Sequence, residues 1–185
     1  GHAQNALSGE WGRMPAAERG RLLMKMGRMV LERADALARI EAADVGKPLK
    51  QARADAVALA RYLEFYGGAA DKVMGETIPY LDGYTVYTLR EAHGVTGHIV
   101  PWNYPMQIIG RSVGAALAMG NACVLKPAED ACLTALRLAQ IAADAMGVSM
   151  SEMRVTLGDT GAAPYPVPTF SSITTVGTGK AVQMA

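Results

Sequence analysis

Hydrophobic positions near the start of the chain recur with a helical period. They recur at a helical spacing, with charged residues on the other face, at Leu22, Leu23, Met26, Met29, Val30, Leu37 and Ile40. Pro15 suits the first position of a helix. Gly46 followed by Pro48 suits its end, because glycine adopts the left-handed terminal position and proline cannot continue the helix. The pattern predicts one helix from Pro15 to Gly46.

The helical period continues beyond Pro48 and then gives way to a looser alternation. It predicts a second helix over residues 49–66, which stops at a pair of glycines, and a third, short helix over residues 69–74. From Tyr80 onward, apolar and aromatic side chains alternate loosely with polar ones. Residues 84–88 are therefore predicted as a strand.

Short apolar runs alternate with amphipathic stretches along the rest of the chain. The pattern predicts strands at residues 97–100, 122–125, 154–157 and 172–176, and helices at residues 106–119 and 133–146. Strands that alternate with helices of this length predict an α/β fold with a parallel sheet, preceded here by the N-terminal helices. Right-handed crossovers place the carboxyl ends of the strands at one edge, where ligands of such sheets bind.

The composition excludes some functional classes. Half of the residues are hydrophobic, 19% are charged and the formal net charge is +1, which is typical of a globular protein and offers no basic surface for nucleic acid. No apolar run is long enough for a membrane helix, so neither a nucleic-acid nor a membrane partner is expected. Cys123 and Cys132 form no disulfide framework, which favours a cytoplasmic location. His93 and His98 have no companions at metal-ligand spacing, so no metal site is expected.

Candidate chemistry follows the first of these strands. Residues 100–105 place Asn103 between Pro101 and Pro105, which restrict the backbone around it. The Asn103 amide is a neutral donor that could stabilise a developing oxyanion. Alternatively, Asn103 is a turn residue before a helix, a common place for asparagine.

A second polar segment, residues 126–129, follows the next strand. Lys126 supplies a cation suited to hydroxyl or phosphate groups. Glu129 could accept hydrogen bonds from a ribose diol, as acidic residues after a second strand do in dinucleotide-binding folds. Alternatively, Glu129 is a carboxylate favoured by the dipole at the start of a helix. The residues alone leave both interpretations open.

Four segments together resemble the aldehyde dehydrogenase family. Residues 100–105 (VPWNYP) are similar to its first strand-end motif, and residues 120–129 (GNACVLKPAE) to its second, at the family's spacing. Residues 44–49 and 90–97 extend the match, which runs from about Arg13 to Met146. Two long motifs in order and in register are far more specific than an isolated glycine pattern.

The resemblance implies a fold, a reaction and roles for individual residues. The fold is a partial, modified Rossmann-type sheet, and the reaction is the NAD(P)-dependent oxidation of a small-molecule substrate, an aldehyde, to a carboxylic acid. Asn103 corresponds to the oxyanion-stabilising asparagine, whereas Lys126 and Glu129 correspond to residues that hold the adenosine ribose. Such a use of Glu129 favours NAD over NADP. The backbone lining the cofactor cleft corresponds to Val100, Pro101 and Trp102.

The resemblance also implies an organisation of the chain. Residues 1–80 form a helical N-terminal part, residues 81–96 a strand arm that resembles part of the family's oligomerisation segment, and residues 97–185 a Rossmann-like part of the cofactor-binding domain. A homo-oligomer is therefore expected. The family's general-base glutamate and nucleophilic cysteine correspond to positions after Ala185, in a catalytic domain that this sequence lacks.

The resemblance weakens after Met146. Gly158 corresponds to a glycine near the adenine, but closely spaced prolines then interrupt an expected helix. In the phosphate loop, Thr174 replaces a glycine and Thr175 replaces a serine. A hydroxyl is kept at Thr175, whereas the close backbone approach that glycine permits is lost at Thr174.

Neither cysteine of the chain is expected to replace the missing nucleophile. Cys123 lies in an apolar strand and is expected to be an inert thiol, and Cys132 opens a helix at a surface position. The chain is therefore predicted to be inactive alone. The alternatives are a non-catalytic nucleotide-binding module and a non-enzymatic remnant.

Overall fold

The computed structural model describes residues 1–149 of the 185-residue chain. Two predicted strands, at residues 154–157 and 172–176, lie outside the described residues. The candidate cofactor-binding residues Gly158 and Thr175 lie outside them as well.

The N-terminal part is helical, but its first long helix is divided. After α1 (His2–Ser8) and α2 (Glu10–Arg13), which the hydrophobic pattern did not predict, come α3 (Ala16–Glu32) and α4 (Ala34–Val45). The prediction of one continuous helix was wrong, because the chain leaves helical geometry at Arg33 (φ −106°, ψ 12°). The apolar period runs across this break, since Val30 and Leu37 on either side are both fully buried. Gly46 ends α4 in the left-handed conformation, as predicted (φ 77°).

The next helix, α5 (Leu49–Ala69), continues through the glycines that were expected to stop it. Gly67 is buried against Gly20 of α3, and a Cβ added at Gly20 would lie 2.4 Å from the Gly67 carbonyl oxygen. These glycines therefore permit a close helix crossing rather than a helix end. The short helix predicted at residues 69–74 is absent, because α5 ends at Ala69, the chain turns at residues 70–71 and a non-helical segment follows.

A small hairpin separates the helices from the rest of the chain. β1 (Thr77–Ile78) pairs antiparallel with β2 (Val86–Tyr87), with Ile78 opposite Val86. β2 lies inside the predicted strand at residues 84–88. β1 was not predicted, because two exposed residues show no periodicity.

The sheet prediction is confirmed over the described residues. β3 (Val95–Ile99), α6 (Pro105–Ala118), β4 (Ala122–Lys126), a 3₁₀ turn (Glu129–Ala131) and α7 (Leu133–Met146) follow in order. β3 and β4 are parallel, with Val95 opposite Ala122. The fold is therefore α/β, with a small parallel sheet preceded by N-terminal helices.

One core joins the helices to this strand pair. Its largest fully buried apolar side chains come from α3 to α7: Leu23, Leu37, Leu59, Met106 and Ile141. Long-range hydrogen bonds from the front of the chain reinforce it. Lys25 Nζ donates to the Ala145 carbonyl at 2.8 Å, and Arg19 Nε donates to the Ala118 carbonyl at 3.4 Å. Within residues 1–149, no helix has the length and apolar character that a membrane crossing requires.

Candidate functional site

The parallel strand pair brings the two predicted polar segments together. Ile99 is opposite Lys126 in the register, and the Val100 N–H donates to the Lys126 carbonyl at 3.0 Å. Residues 100–105 and 126–129 therefore leave the sheet side by side at its carboxyl edge. This is the edge at which open α/β sheets bind ligands.

The first of these segments passes from the core to the surface within three residues. Val100 is buried, Pro101 is half-buried and Trp102 is 53% exposed. The segment thus begins on a fixed anchor in the core. It presents an exposed indole and backbone at the edge.

Asn103 lies in the bend before α6 and is exposed. The N-cap of α6 is Tyr104, and no side chain caps the helix through a hydrogen bond. Among the residues that the structure describes, the Asn103 amide makes no hydrogen bond. A capping role therefore has no hydrogen bond to support it, and the amide N–H groups remain able to donate to a ligand.

Lys126 and Glu129 form an ion pair across the start of the second segment. Lys126 Nζ lies 3.0 Å from Glu129 Oε1, and their side chains are 38% and 52% exposed. An exposed pair of this kind contributes at most about 1 kcal/mol, so exchanging one partner for a ligand costs little. Glu129 also begins the 3₁₀ turn before α7. Glu129 therefore stands at the start of a helical turn and is also exposed enough to bind a ligand.

A buried cluster of charges, which no sequence motif indicated, lies beside this edge. Lys47 Nζ lies 2.7 Å from Glu41 Oε1 and 2.7 Å from Asp55 Oδ2. The carboxylate side chains are 0% exposed and that of Lys47 is 9% exposed. We refer to Glu41, Lys47 and Asp55 as the charged triad. A signal was present, since Glu41 and Asp55 stand where the helical period predicts apolar residues.

The charged triad contacts the first turn of α6. The Met106 N–H donates to Glu41 Oε2 at 3.4 Å, and Gln107 Nε2 donates to Asp55 Oδ1 at 2.7 Å. The Lys47 ammonium lies 4.5 Å from the centre of the Tyr104 ring, a cation–π distance. The charged triad therefore contacts Tyr104, which directly follows Asn103, and the next two residues after Pro105, Met106 and Gln107.

The pKa values within the triad follow from burial and hydrogen bonding. Burial raises the pKa of Glu41 above its usual range, against the opposing effect of Lys47. Burial acts in the same direction on Asp55, but hydrogen bonds from Lys47, Gln107 and Gln51 outweigh it and lower the pKa of Asp55. Burial alone would lower the pKa of Lys47, but its bonds to the two carboxylates raise that pKa. Lys47 is therefore charged at neutral pH.

A second asparagine, Asn121, lies at the opposite end of the strand pair. It is 4% exposed. Its side chain accepts from the Gly94 N–H at 3.1 Å and donates to the Ala116 carbonyl at 3.0 Å. Its own carbonyl accepts from Trp11 Nε1 at 3.0 Å. Asn121 therefore ties α2, α6 and the start of β3 together.

The two cysteines lie within β4 and at the start of α7. Both are free thiols. Burial raises the pKa of Cys123, partly offset by Thr96, so its thiol is held protonated at neutral pH. Cys132 stands at the N-cap position of α7. Burial also lowers the pKa of His98, which favours the neutral imidazole.

A parallel strand pair with helices packed on it, and with polar side chains at its carboxyl edge, defines a Rossmann-type α/β protein. The model of the family described as "Aldehyde dehydrogenase family" matches residues 1–181. The chain belongs to the aldehyde dehydrogenase family.

Individual relatives agree with this assignment. The chain is 43% identical over 171 residues to a hydroxyisobutyraldehyde dehydrogenase of Mycolicibacterium austroafricanum, covering 91% of this chain and 34% of that protein. A crystal structure from Burkholderia cenocepacia matches 86% of this chain and 34% of that chain with a TM-score of 0.82 and 64% identity. The structure of an NAD⁺ complex of an aldehyde dehydrogenase from Bacillus cereus matches 78% of this chain and 30% of that chain with a TM-score of 0.76 and 40% identity. The chain thus spans about a third of the length of these relatives.

Proposed function

We propose that this chain is the cofactor-binding front part of an NAD-dependent aldehyde dehydrogenase, which oxidises an aldehyde to a carboxylic acid. The observation that supports the proposal is that the segments carrying Asn103 and the Lys126–Glu129 pair leave β3 and β4 side by side at the carboxyl edge. The family assignment supports it, as does the NAD⁺ complex of the Bacillus cereus relative.

Lys126 and Glu129 fit the ribose of a dinucleotide. The exposed Glu129 carboxylate can accept from both hydroxyls of a vicinal diol, and the Lys126 ammonium can donate to a hydroxyl oxygen. A 2′-phosphate would remove one of these hydroxyls and set its negative charge against Glu129. The pair therefore favours NAD over NADP. Backbone from Val100 to Trp102 would line the cleft beside it.

Asn103 would act on the aldehyde itself. A nucleophile that adds to an aldehyde converts the carbonyl oxygen into an oxyanion, and a fixed amide donor stabilises that charge more than it stabilises the ground state. When bound, NAD supplies the acceptor for the hydride. Burial raises the pKa of the Cys123 thiol within β4, and Cys132 stands at the N-cap of α7, so we assign this chain the binding and oxyanion-stabilising roles rather than the nucleophile. By itself it is expected to bind NAD without turning over aldehyde.

Calorimetric titration of the 185-residue chain with NAD and with NADP tests the proposal. We expect saturable NAD binding, weaker NADP binding, and a loss of NAD affinity of about tenfold in Glu129→Ala, which corresponds to one hydrogen-bonded group of about 1.4 kcal/mol. Asp130→Ala is the matched control, because Asp130 is the neighbouring exposed carboxylate of the same turn. Absence of binding to either cofactor would reject the proposal in favour of a non-enzymatic remnant.

We further propose that the β1–β2 hairpin mediates self-association into a homo-oligomer. The hairpin and its flanks expose several large apolar side chains: Ile78, Tyr80, Leu81, Tyr84, Tyr87 and Leu89. Exposed apolar groups concentrated in one segment are typical of an interaction surface. Light scattering after size exclusion should give a multiple of the 19.5 kDa chain mass, and Leu89→Glu should reduce it. A monomer at all concentrations would contradict this proposal.

Two further expectations remain predictions. The cytoplasmic location rests on the two free cysteines. The division into a helical part, a strand arm and a Rossmann-like part rests on the family resemblance.

A further inference from the structure

The charged triad costs free energy that an apolar cluster of similar size would not. Two carboxylates and an ammonium lose nearly all contact with water, and their mutual attraction seldom repays this desolvation fully. An exposed ion pair can join α4 to α5 without this desolvation cost. The Arg53–Asp35 pair does so, with 2.7 Å between Arg53 Nε and Asp35 Oδ1. The triad therefore calls for a role other than joining these helices.

The contacts of the triad indicate that role. Each of its members contacts α6 or its N-cap: Glu41 at Met106, Asp55 at Gln107 and Lys47 at Tyr104. The remaining hydrogen bond comes from Gln51 Nε2 to Asp55, at 3.0 Å. The buried charges thus converge on the first turn of one helix, directly after the loop that carries Asn103.

Asn103 depends on its neighbours for its position. Its side chain is exposed and makes no hydrogen bond within the described part of the chain. On one side, the loop is anchored by the Val100 N–H to the Lys126 carbonyl at 3.0 Å. On the other side, it is anchored by the triad. Only residues 101–103 lie between these two anchors.

We propose that Glu41, Lys47 and Asp55 are positioning residues that hold the Asn103 amide at the carboxyl edge of the sheet. This inference rests on the proposed function, since it assigns a purpose to the position of Asn103. In this role the triad acts through its contacts with Tyr104, Met106 and Gln107 at the start of α6. Removing its cation would release that turn and allow the amide to sample orientations that do not point at an oxyanion.

Backbone ¹⁵N relaxation of the 185-residue chain measures the rigidity of the backbone that carries the Asn103 amide. In the unmodified protein, we expect order parameters of about 0.85 at Trp102, Asn103 and Met106, the value of a rigid backbone. Lys47→Met should lower them toward about 0.6, while Leu23 and Leu59 in the helical core keep their values. If the triad only stabilised the fold, the difference in order parameters between the Asn103 loop and the helical core would stay the same in Lys47→Met.

Two further variants keep the test decisive. Arg53→Met is the matched control, since it removes a basic side chain from the exposed pair between the same helices, and it should alter none of these order parameters. Gln107→Leu removes one link between triad and α6 and leaves all three charges in place. It should lower the order parameters at Asn103 and Met106 even if Lys47→Met fails to fold. Unchanged order parameters in folded Lys47→Met, or in Gln107→Leu, would overturn the proposal.

The NAD titration separates this inference from the proposed function. If the unmodified chain binds no NAD, the proposed function fails, whereas the relaxation data still decide whether the triad holds the loop. If NAD binds and the order parameters do not respond to either variant, the positioning role fails and the proposed function stands.

Discussion

The two ends of the β3–β4 pair each carry an asparagine, and the two are used in opposite ways. Asn121, at the amino end of β4, is 4% exposed, and its side-chain amide both donates and accepts a hydrogen bond. Asn103, beyond the carboxyl end of β3, is exposed, and its amide bonds to none of residues 1–149. The same functional group therefore secures the fold at one end and is left available at the other.

Two lysine–carboxylate contacts show the same division. Lys47 is nearly buried between two carboxylates, whereas Lys126 and Glu129 form an exposed pair at the sheet edge. Side chains whose hydrogen-bonding groups are already paired stabilise the fold. Side chains that can still form hydrogen bonds face solvent at the carboxyl edge. Side-chain burial and the number of hydrogen bonds already made, rather than residue type, distinguish the structural residues from the candidate site residues.

The largest expected effect comes from breaking the triad. Lys47→Met leaves two buried carboxylates without their cation, and we expect the free energy of unfolding to fall by about 3–5 kcal/mol. Urea denaturation at neutral pH measures it. Arg53→Met, at the exposed pair, should cost no more than about 1 kcal/mol. Equal losses in the two variants would contradict the distinction between buried and exposed pairs.

At the amino end, Asn121→Ala should cost about 1–3 kcal/mol. The change removes the side-chain acceptor of the Gly94 N–H, whereas the Ala116 carbonyl keeps its hydrogen bond from the backbone N–H of residue 121. Urea denaturation measures the loss. Hydrogen exchange at Gly94 should also accelerate more than at Leu59, because the damage is local. A loss below about 0.5 kcal/mol would show that solvent replaces these bonds, and that the amino end is less closed than its burial indicates.

The pH dependence of stability should distinguish the triad from other charges. The pKa of Asp55 is lowered in the fold, so its contribution is present above the ordinary value of about 3.9 and is lost as pH falls through the folded pKa. The pKa of Lys47 is raised, so its contribution is lost only as pH rises through a folded pKa above about 10.4. The stability difference between the unmodified chain and Lys47→Met should therefore be largest near neutrality and shrink as pH falls, first as Glu41, whose pKa burial raises, takes up a proton and then as Asp55 does. A difference that is constant from pH 7 to pH 3 would contradict this assignment.

The smallest effect is expected at the carboxyl end itself. Asn103→Ala should change the free energy of unfolding by less than about 0.5 kcal/mol, since an exposed amide without protein partners contributes little. The thermal unfolding midpoint should be unaltered within error. A loss comparable to that of Asn121→Ala would mean that the Asn103 side chain is a structural element, and the comparison between the two ends would fail.

The sequence predicted the parallel strands and their helices well because their hydrophobic periods are strong. Helix α7 has the predicted bounds, and β4 differs from its prediction only at Lys126. The errors fell where tertiary packing overrides a local signal. Gly67 serves a helix crossing and does not end α5, and the break at Arg33 interrupts no apolar spacing. Local patterns contain no information about which distant helix a glycine will meet.

The candidate site was predictable in part for a related reason. Parallel strands place their carboxyl ends together, so the proximity of residues 100–105 and 126–129 followed from the strand prediction. The charged triad did not follow, because its members come from α4, the α4–α5 connection and α5 and meet only in the folded chain. Charged residues at apolar positions of two helices were the visible sign, and their pairing through Lys47 required the three-dimensional structure.

The hydrogen bonds that Trp11 and Lys25 make to the Asn121 and Ala145 carbonyls span 110 and 120 residues of sequence. During synthesis, the N-terminal helices can form early, but they cannot complete their docking until α7 has left the ribosome. At about 5–20 residues per second, that wait is on the order of ten seconds. Early in this interval the apolar faces of α3 and α5 can pack only against each other and against α4, and the close crossing at Gly20 and Gly67 lets α3 and α5 cover one another. We therefore expect the nascent chain to become resistant to protease in two steps, first over α3 to α5 and then throughout residues 1–149.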